Sequence, residues 1–124
     1  MEQEKDLLTK VLCTMLPYGV RIAKGNVIYP MTGINIALGY VELAVYERIL
    51  IEDARPYLRP MSSITEEEDK ELREKNIFIA VSTSGKVETT TDGFDWLNKK
   101  MFDYCGLIPM GLALEAPEGM YKTK

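Results

Sequence analysis

Gly19-Val-Arg-Ile-Ala-Lys-Gly-Asn-Val-Ile-Tyr-Pro-Met-Thr-Gly-Ile-Asn-Ile-Ala-Leu-Gly-Tyr-Val-Glu-Leu-Ala-Val-Tyr-Glu-Arg-Ile-Leu-Ile51 is the stretch on which the fold turns. Val20 and Ile22 alternate with Arg21 and Ala23, and Lys24-Gly25-Asn26 supplies a tight reversal before Val27, Ile28 and Tyr29. Ile34, Ile36 and Leu38 alternate with Asn35 and Ala37. After Gly39, Val41, Leu43 and Val45 alternate with Glu42, Ala44 and Tyr46. Short period-two segments punctuated by glycine describe an antiparallel meander with one buried and one wet face. Strands of this length curl readily, so two forms are open: a small, partly open barrel of the SH3-like kind, or a plain twisted sheet under a helix.

The helix precedes the meander. Over residues 3–16, Leu7, Leu8, Val11, Leu12, Met15 and Leu16 recur at helical spacing, with Glu2, Glu4, Lys5, Asp6 and Lys10 on the other side and Pro17 as the stop. This stripe is expected to dock on the chain's own sheet, since its polar face is not lysine-rich.

Downstream, Pro56 and Pro60 exclude helix and bias Arg55 and Arg59 toward extended backbone, so residues 51–63 are expected to cross the surface on a fixed path. Thr65 with Glu68 reads as a capping box opening a helix to residue 75, with Glu66, Glu67 and Asp69 in its positive first turn. Leu72 is the only large apolar residue of that helix, which predicts a solvated excursion of low stability. Residues 77–81 read as a strand buried on both faces, and 86–90 as its hairpin partner across Ser82-Thr83-Ser84-Gly85. Asp92 is placed to cap a last helix with Phe94, Leu97 and Met101 on one face, extended by Tyr104 and ended by Gly106. The segment 107–116 is expected to pack irregularly or as a short strand, and 118–124 to fray. The result is an α+β fold in one domain, residues 1–124: N-terminal helix, curled antiparallel sheet, additional hairpin and C-terminal helix.

Composition narrows function mainly by exclusion. The 124 residues are 46% hydrophobic and 27% charged, enough for a core without disulfides or metal. There is no histidine, so the commonest general base and zinc ligand and the usual partner of a Ser or Cys nucleophile are missing. The net charge is -4. Residues 1–60 carry seven basic and seven acidic side chains and 61–124 eight and twelve, so the excess lies in the second half. Residues 65–75 alone hold six acids against three bases. Such a chain offers little of the cation that duplex nucleic acid demands.

No phosphate-binding glycine loop, nucleophile elbow or zinc motif can be written from this sequence. The run Glu66-Glu67-Glu68-Asp69 spreads its carboxylates around a helix and is not a metal loop. Asp92, Asp95 and Asp103 are formally a carboxylate set of the glycosidase kind, but the first two are explained as helix-start residues. Ser82, Thr83 and Ser84 have no general base and read as turn residues. Cys13 and Cys105, 92 positions apart, read as packing thiols in a reduced, cytoplasmic compartment. The charged start of the chain predicts no secretory signal, and no apolar run reaches membrane-span length. No catalytic residue, cofactor or metal ligand is therefore expected.

Arg55, Tyr57 and Arg59 are the candidate contact residues. Two guanidiniums flanking an aromatic in a proline-stiffened segment suit a phosphate, a carboxylate or a stacked base. Alternatively, Tyr57 and Leu58 anchor the segment in the core while the arginines pair with the acidic helix that follows.

Two segments, Arg55-Pro-Tyr-Leu-Arg-Pro-Met-Ser-Ser-Ile-Thr-Glu-Glu-Glu68 and Asp95-Trp-Leu-Asn98 followed by Phe102-Asp-Tyr-Cys-Gly-Leu-Ile-Pro-Met-Gly-Leu-Ala-Leu-Glu-Ala-Pro117, cover just over a quarter of the chain. Together they resemble a group of small uncharacterised proteins of Bacteroides-type gut bacteria, carried by prophages and other mobile elements. Cys105 stands where that pattern has an arginine. The resemblance implies a genomic setting; it transfers no activity and no functional residue. The expectation is a non-enzymatic accessory protein of phage or mobile-element origin, acting through a protein partner or self-association. The alternative is a small-barrel module that binds nucleic acid or an anionic ligand through Arg55, Tyr57 and Arg59, and a carboxylate-based hydrolase is a distant third.

Overall fold

The longest strand explains the shape of the sheet. In the computed structural model, which describes residues 2–44 and 46–121, β2 (Val27–Asn35) pairs antiparallel with β1 (Arg21–Lys24) through Val27 to Pro30. It pairs with β3 (Tyr40–Leu43) through Met31 to Asn35. The register shifts between Met31 and Gly33, so β2 bends where it changes partner. β4 (Glu47–Leu50) continues the meander on β3. The curl brings Lys24 of β1 into an ion pair with Glu47 of β4, although two strands separate them in the sheet.

β5 (Arg55–Leu58) joins β1 antiparallel, and β8 (Leu114–Glu115) adds to β5 in parallel, giving the order β4-β3-β2-β1-β5-β8. The fold is α+β, with a mixed six-stranded sheet that does not close into a barrel. The parallel β8 corrects the all-antiparallel expectation, and the outer edges of β4 and β8, unpaired among the described residues, correct the SH3-like one.

α1 (Glu2–Met15) lies on the inner face of the sheet, burying Leu8, Val11, Leu12 and Met15 against Val20, Ile22, Val41, Leu43 and Leu58. Leu16–Tyr18 form a 3-10 turn at Pro17, and Gly19, at φ 85°, supplies the left-handed residue that starts β1.

A second, smaller cluster gathers Leu72, Val87, Trp96, Leu97 and Phe102. It lies between α2 (Glu66–Glu74), the hairpin of β6 (Ile79–Val81) and β7 (Val87–Thr89), and α3 (Thr91–Lys99). Thr65 and Glu68 make the capping box of α2 in both directions.

Several expectations change. Ile36 and Leu38 are not strand residues: Asn35 Oδ1 accepts from the Leu38 amide and the chain reverses at Gly39, φ 79°, leaving both side chains exposed. Val45 lies outside the described residues. Residues 55–58 are an inner strand and not a surface crossing. β6 begins only at Ile79 and is not buried on both faces, since Phe78 is 83% and Val81 53% exposed. Thr90, whose hydroxyl accepts from the Gly93 amide, caps α3 in place of Asp92. That helix ends at Lys99, before a left-handed Met101 (φ 64°) and well short of Gly106. Of the expected fraying tail, Glu118 and Gly119 are exposed but Tyr121 is packed against the core and hydrogen-bonded, whereas 122–124 lie outside the described residues.

Candidate functional site

Alternation along β5 sets the geometry of Arg55, Tyr57 and Arg59. Pro56 and Leu58 are buried in the core, so the three candidates lie half-buried on the opposite face. Pro56 is tolerated because it pairs with Ile22 at the last rung of the β1 ladder, one residue before β8 begins at Tyr57. Beyond the strand, Arg59 is tied by its backbone to the chain after α3: its amide donates to Met101 O (2.7 Å) and its carbonyl accepts from Asp103 N (2.8 Å).

The structure brings the three residues onto one face but gives each a different employment. Arg59 Nη1 and Nη2 donate to the two carboxylate oxygens of Glu68 at 2.6 and 2.7 Å, and Nη2 donates also to Ser63 O at 2.9 Å. Its guanidinium lies 4.2 Å from the centre of the Phe102 ring. Only 19% of the Arg59 and 13% of the Glu68 side chain is exposed. Burial pushes the Glu68 carboxyl up, but hydrogen bonds from Arg59 and the Thr65 amide, with the guanidinium charge, outweigh it and hold the group below its ordinary 4.5. This is the pairing with the acidic helix that sequence allows, and it anchors α2. The helix is no free excursion. Arg55 does not join it, since its Nη1 donates to the carbonyls of Glu52 (2.8 Å) and Ala54 (2.9 Å).

Tyr57 takes part through its carbonyl, which accepts from the Tyr121 hydroxyl at 2.7 Å. The same hydroxyl accepts from the Arg21 amide at 2.8 Å, so the tail straps β5 to β1. Burial, only partly offset by the Arg21 amide and charge, pushes the Tyr121 phenol up from 10.0 to about 12. A neutral phenol with a raised value stabilises the fold below pH 10, and this contribution disappears as pH climbs through about 12. Denaturant titrations followed by Trp96 fluorescence should therefore show stability falling between those two values. In Tyr121→Phe that fall should be smaller, on a starting stability lower by about 1 kcal/mol for the lost hydrogen bonds.

Between α2 and the tail runs an open groove of about 940 Å³. Its two cations, Arg59 and Lys100, face carboxylates, Lys100 Nζ lying 3.5 Å from Glu71 Oε1. Partial burial raises the Glu71 carboxyl, but a hydrogen bond from the Trp96 indole (3.1 Å) and the charges of Lys100 and Lys75 bring it below its ordinary value. Glu67, Glu115 and Glu118 line the same groove with no cation paired to them among the described residues. An acidic rim around neutralised arginine and lysine is electrostatically wrong for a phosphate.

The remaining titratable candidates have structural work. The Asp103 carboxylate is buried and accepts from the Leu107 (2.7 Å) and Ile108 (2.9 Å) amides, while Asp92 and Asp95 are exposed on α3. Ser82 and Ser84 hold the hairpin turn. Cys13 and Cys105 are free and half-buried. Burial and the nearby Asp103 raise the Cys105 thiol against a smaller pull from Lys10, the reverse of an activated thiolate. No three metal-ligating side chains gather among the described residues, and no helix there is long and apolar enough to cross a membrane.

What sequence reasoning passed over is the outer side of the β6 hairpin. Phe78 and Val81 are exposed beside a mainly apolar groove of about 310 Å³, lined also by Met61, Ile64, Leu72, Ile77 and Ile79 and by the polar Asp69, Arg73 and Asn76. The signal was present as ten residues, 76–85, without a charge.

The chain matches no protein-family model, no curated protein and no solved structure.

Proposed function

We propose that the protein is a non-enzymatic interaction protein, working in the cytoplasm by contact with another protein chain, in the phage or mobile-element setting that the resemblance implies. The observation that carries this reading is the contrast between the two candidate surfaces. The guanidinium of Arg59 is occupied by Glu68, Ser63 and Phe102, whereas Phe78 and Val81 stand uncovered next to an apolar groove. Exposed aromatic and β-branched side chains beside a groove are what protein interfaces use. The alternative, nucleic acid or an anionic ligand at Arg55, Tyr57 and Arg59, draws less support, since both arginines donate to internal acceptors.

Immobilised wild-type and Phe78→Asp chains, exposed to lysate of the native cells and read by mass spectrometry, test the proposal. A protein retained by wild type and lost with Phe78→Asp is expected. Saturable binding of a labelled oligonucleotide at low salt, where electrostatic affinity is greatest, would transfer the function to the alternative.

A further inference from the structure

Four strand edges are open among the described residues, those of β4, β8, β6 and β7, and they differ in protection; β7 carries Glu88, with Lys86 just before it. β4 carries Glu47 and Arg48, with Glu47 held by Lys24, and β8 is two residues long and ends on Glu115. Charge and shortness are the usual guards of an edge. β6 is also short, at three residues, but it carries no charge of its own: Ile77-Phe78-Ile79-Ala80-Val81-Ser82 is uncharged, free of proline and rich in β-formers, and β7 is its only strand partner among the described residues.

The hydrogen-bond phase of the hairpin fixes what that edge offers. The Ser82 amide donates to Lys86 O (2.9 Å), and Val81 pairs with Val87, Ala80 with Glu88 and Ile79 with Thr89. In an antiparallel ladder the hydrogen-bonded rungs alternate, so Ala80 bonds toward β7 while the amides and carbonyls of Ile79 and Val81 point away from it. The side chains of these two residues line the apolar groove beside α2.

We infer that β6 pairs antiparallel with β6 of a second copy of this chain, about a two-fold axis at Ala80, to make a four-stranded intermolecular sheet. The inference rests on the interaction reading above and names the partner. A two-fold axis normal to the sheet keeps the faces in register, so Ile79 lies opposite Val81 of the other copy, and Val81 opposite Ile79. Both are hydrogen-bonded rungs using the groups that point outward, and Ala80 faces Ala80 between them. No charge meets a like charge in this register, whereas the same operation centred on Arg48 of β4 would oppose two arginines. The two apolar grooves become continuous across the new sheet. Pairing consumes both β6 edges, so the assembly closes at two copies.

Size-exclusion chromatography with light scattering over a concentration series, on wild type and Val81→Lys, tests this. Val81 is exposed, so the lysine is accommodated in the monomer but is set against Ile79 of the other copy. The expected result is twice the chain mass for wild type and association weakened about a hundredfold or more in Val81→Lys. Ala80→Cys adds a register-specific reading. The facing Cα atoms of a non-hydrogen-bonded rung stand about 4.5 Å apart, within disulfide reach. Mild oxidation should therefore cross-link Ala80→Cys and not wild type, whose only thiols are Cys13 and Cys105. A wild type of single-chain mass throughout, a Val81→Lys that stays paired, or an Ala80→Cys that does not cross-link would each overturn the inference. Were lysate capture still lost with Phe78→Asp, the interaction reading would stand with a different partner. Failure of both would end it.

Discussion

Replacing Glu68 by alanine is expected to lower stability by about 3 kcal/mol, at the low end for breaking a buried ion pair because both side chains keep a little water. The substitution leaves the Arg59 guanidinium over Phe102 with Ser63 O as its one remaining acceptor, and it strips the Thr65 amide of its capping-box partner. In a chain of this size that corresponds to a melting temperature lower by roughly 10 °C. Arg59→Met combined with Glu68→Gln should recover most of the loss, since no buried charge is left unpaired and the methionine still covers Phe102. A double-mutant cycle should show coupling above about 1 kcal/mol; additive losses would show that the two side chains do not act as a pair.

The pair also makes stability depend on acid. The Glu68 carboxyl is depressed in the fold, so its contribution is complete above its ordinary value of 4.5 and is lost as pH falls through the lower folded value. Glu68→Gln, which cannot ionise, should flatten this part of the acid-stability profile.

A comparable loss is expected from Asp103→Ala, also about 3 kcal/mol. The Asp103 carboxylate is the common acceptor for the Leu107 and Ile108 amides, so alanine leaves both donors without their partner, and the Leu107 amide loses it in the buried interior. The consequence reaches the sheet. The turn after Asp103 launches the segment that returns as β8, and the Asp103 amide itself is bonded to Arg59 O. Asp103→Asn retains one acceptor oxygen and should lose about half as much. Chemical denaturation followed by Trp96 fluorescence reads both variants, because Trp96 stacks on Phe102 at 5.6 Å, one residue from the site. Wild-type stability in Asp103→Ala would mean the two amides find other partners.

The elements that local chemistry determines could be read directly. The Leu7-to-Leu16 stripe, the Thr65–Glu68 box and the Ser82–Gly85 turn act over three or four residues, and the structure has all of them where the sequence places them. Residues 36–38 could not be read by period alone, because the side-chain turn at Asn35 and the left-handed Gly39 override an alternating apolar pattern. β5 was hidden by Pro56, whose penalty disappears only because the ladders on its two sides stop and start around it. Its parallel partner β8 lies more than fifty residues away, and no local signal carries such a pairing. Arg59 was legible as a residue of interest; its role depends on Phe102 arriving beneath it from beyond α3. The β6 edge was visible only as an uncharged run, and the phase of its hydrogen bonds, which decides what it presents, required the pairing with β7.

Amide hydrogen exchange of Ile79 and Val81 at low and high protein concentration is the most direct test of β6 pairing, since these are the outward amides of the uncharged edge. Exchange that is fast in dilute solution and slowed on concentration at these two residues, with the Ala80 amide protected throughout by β7, is the predicted result. Equally fast exchange of Ile79 and Val81 at both concentrations would contradict it.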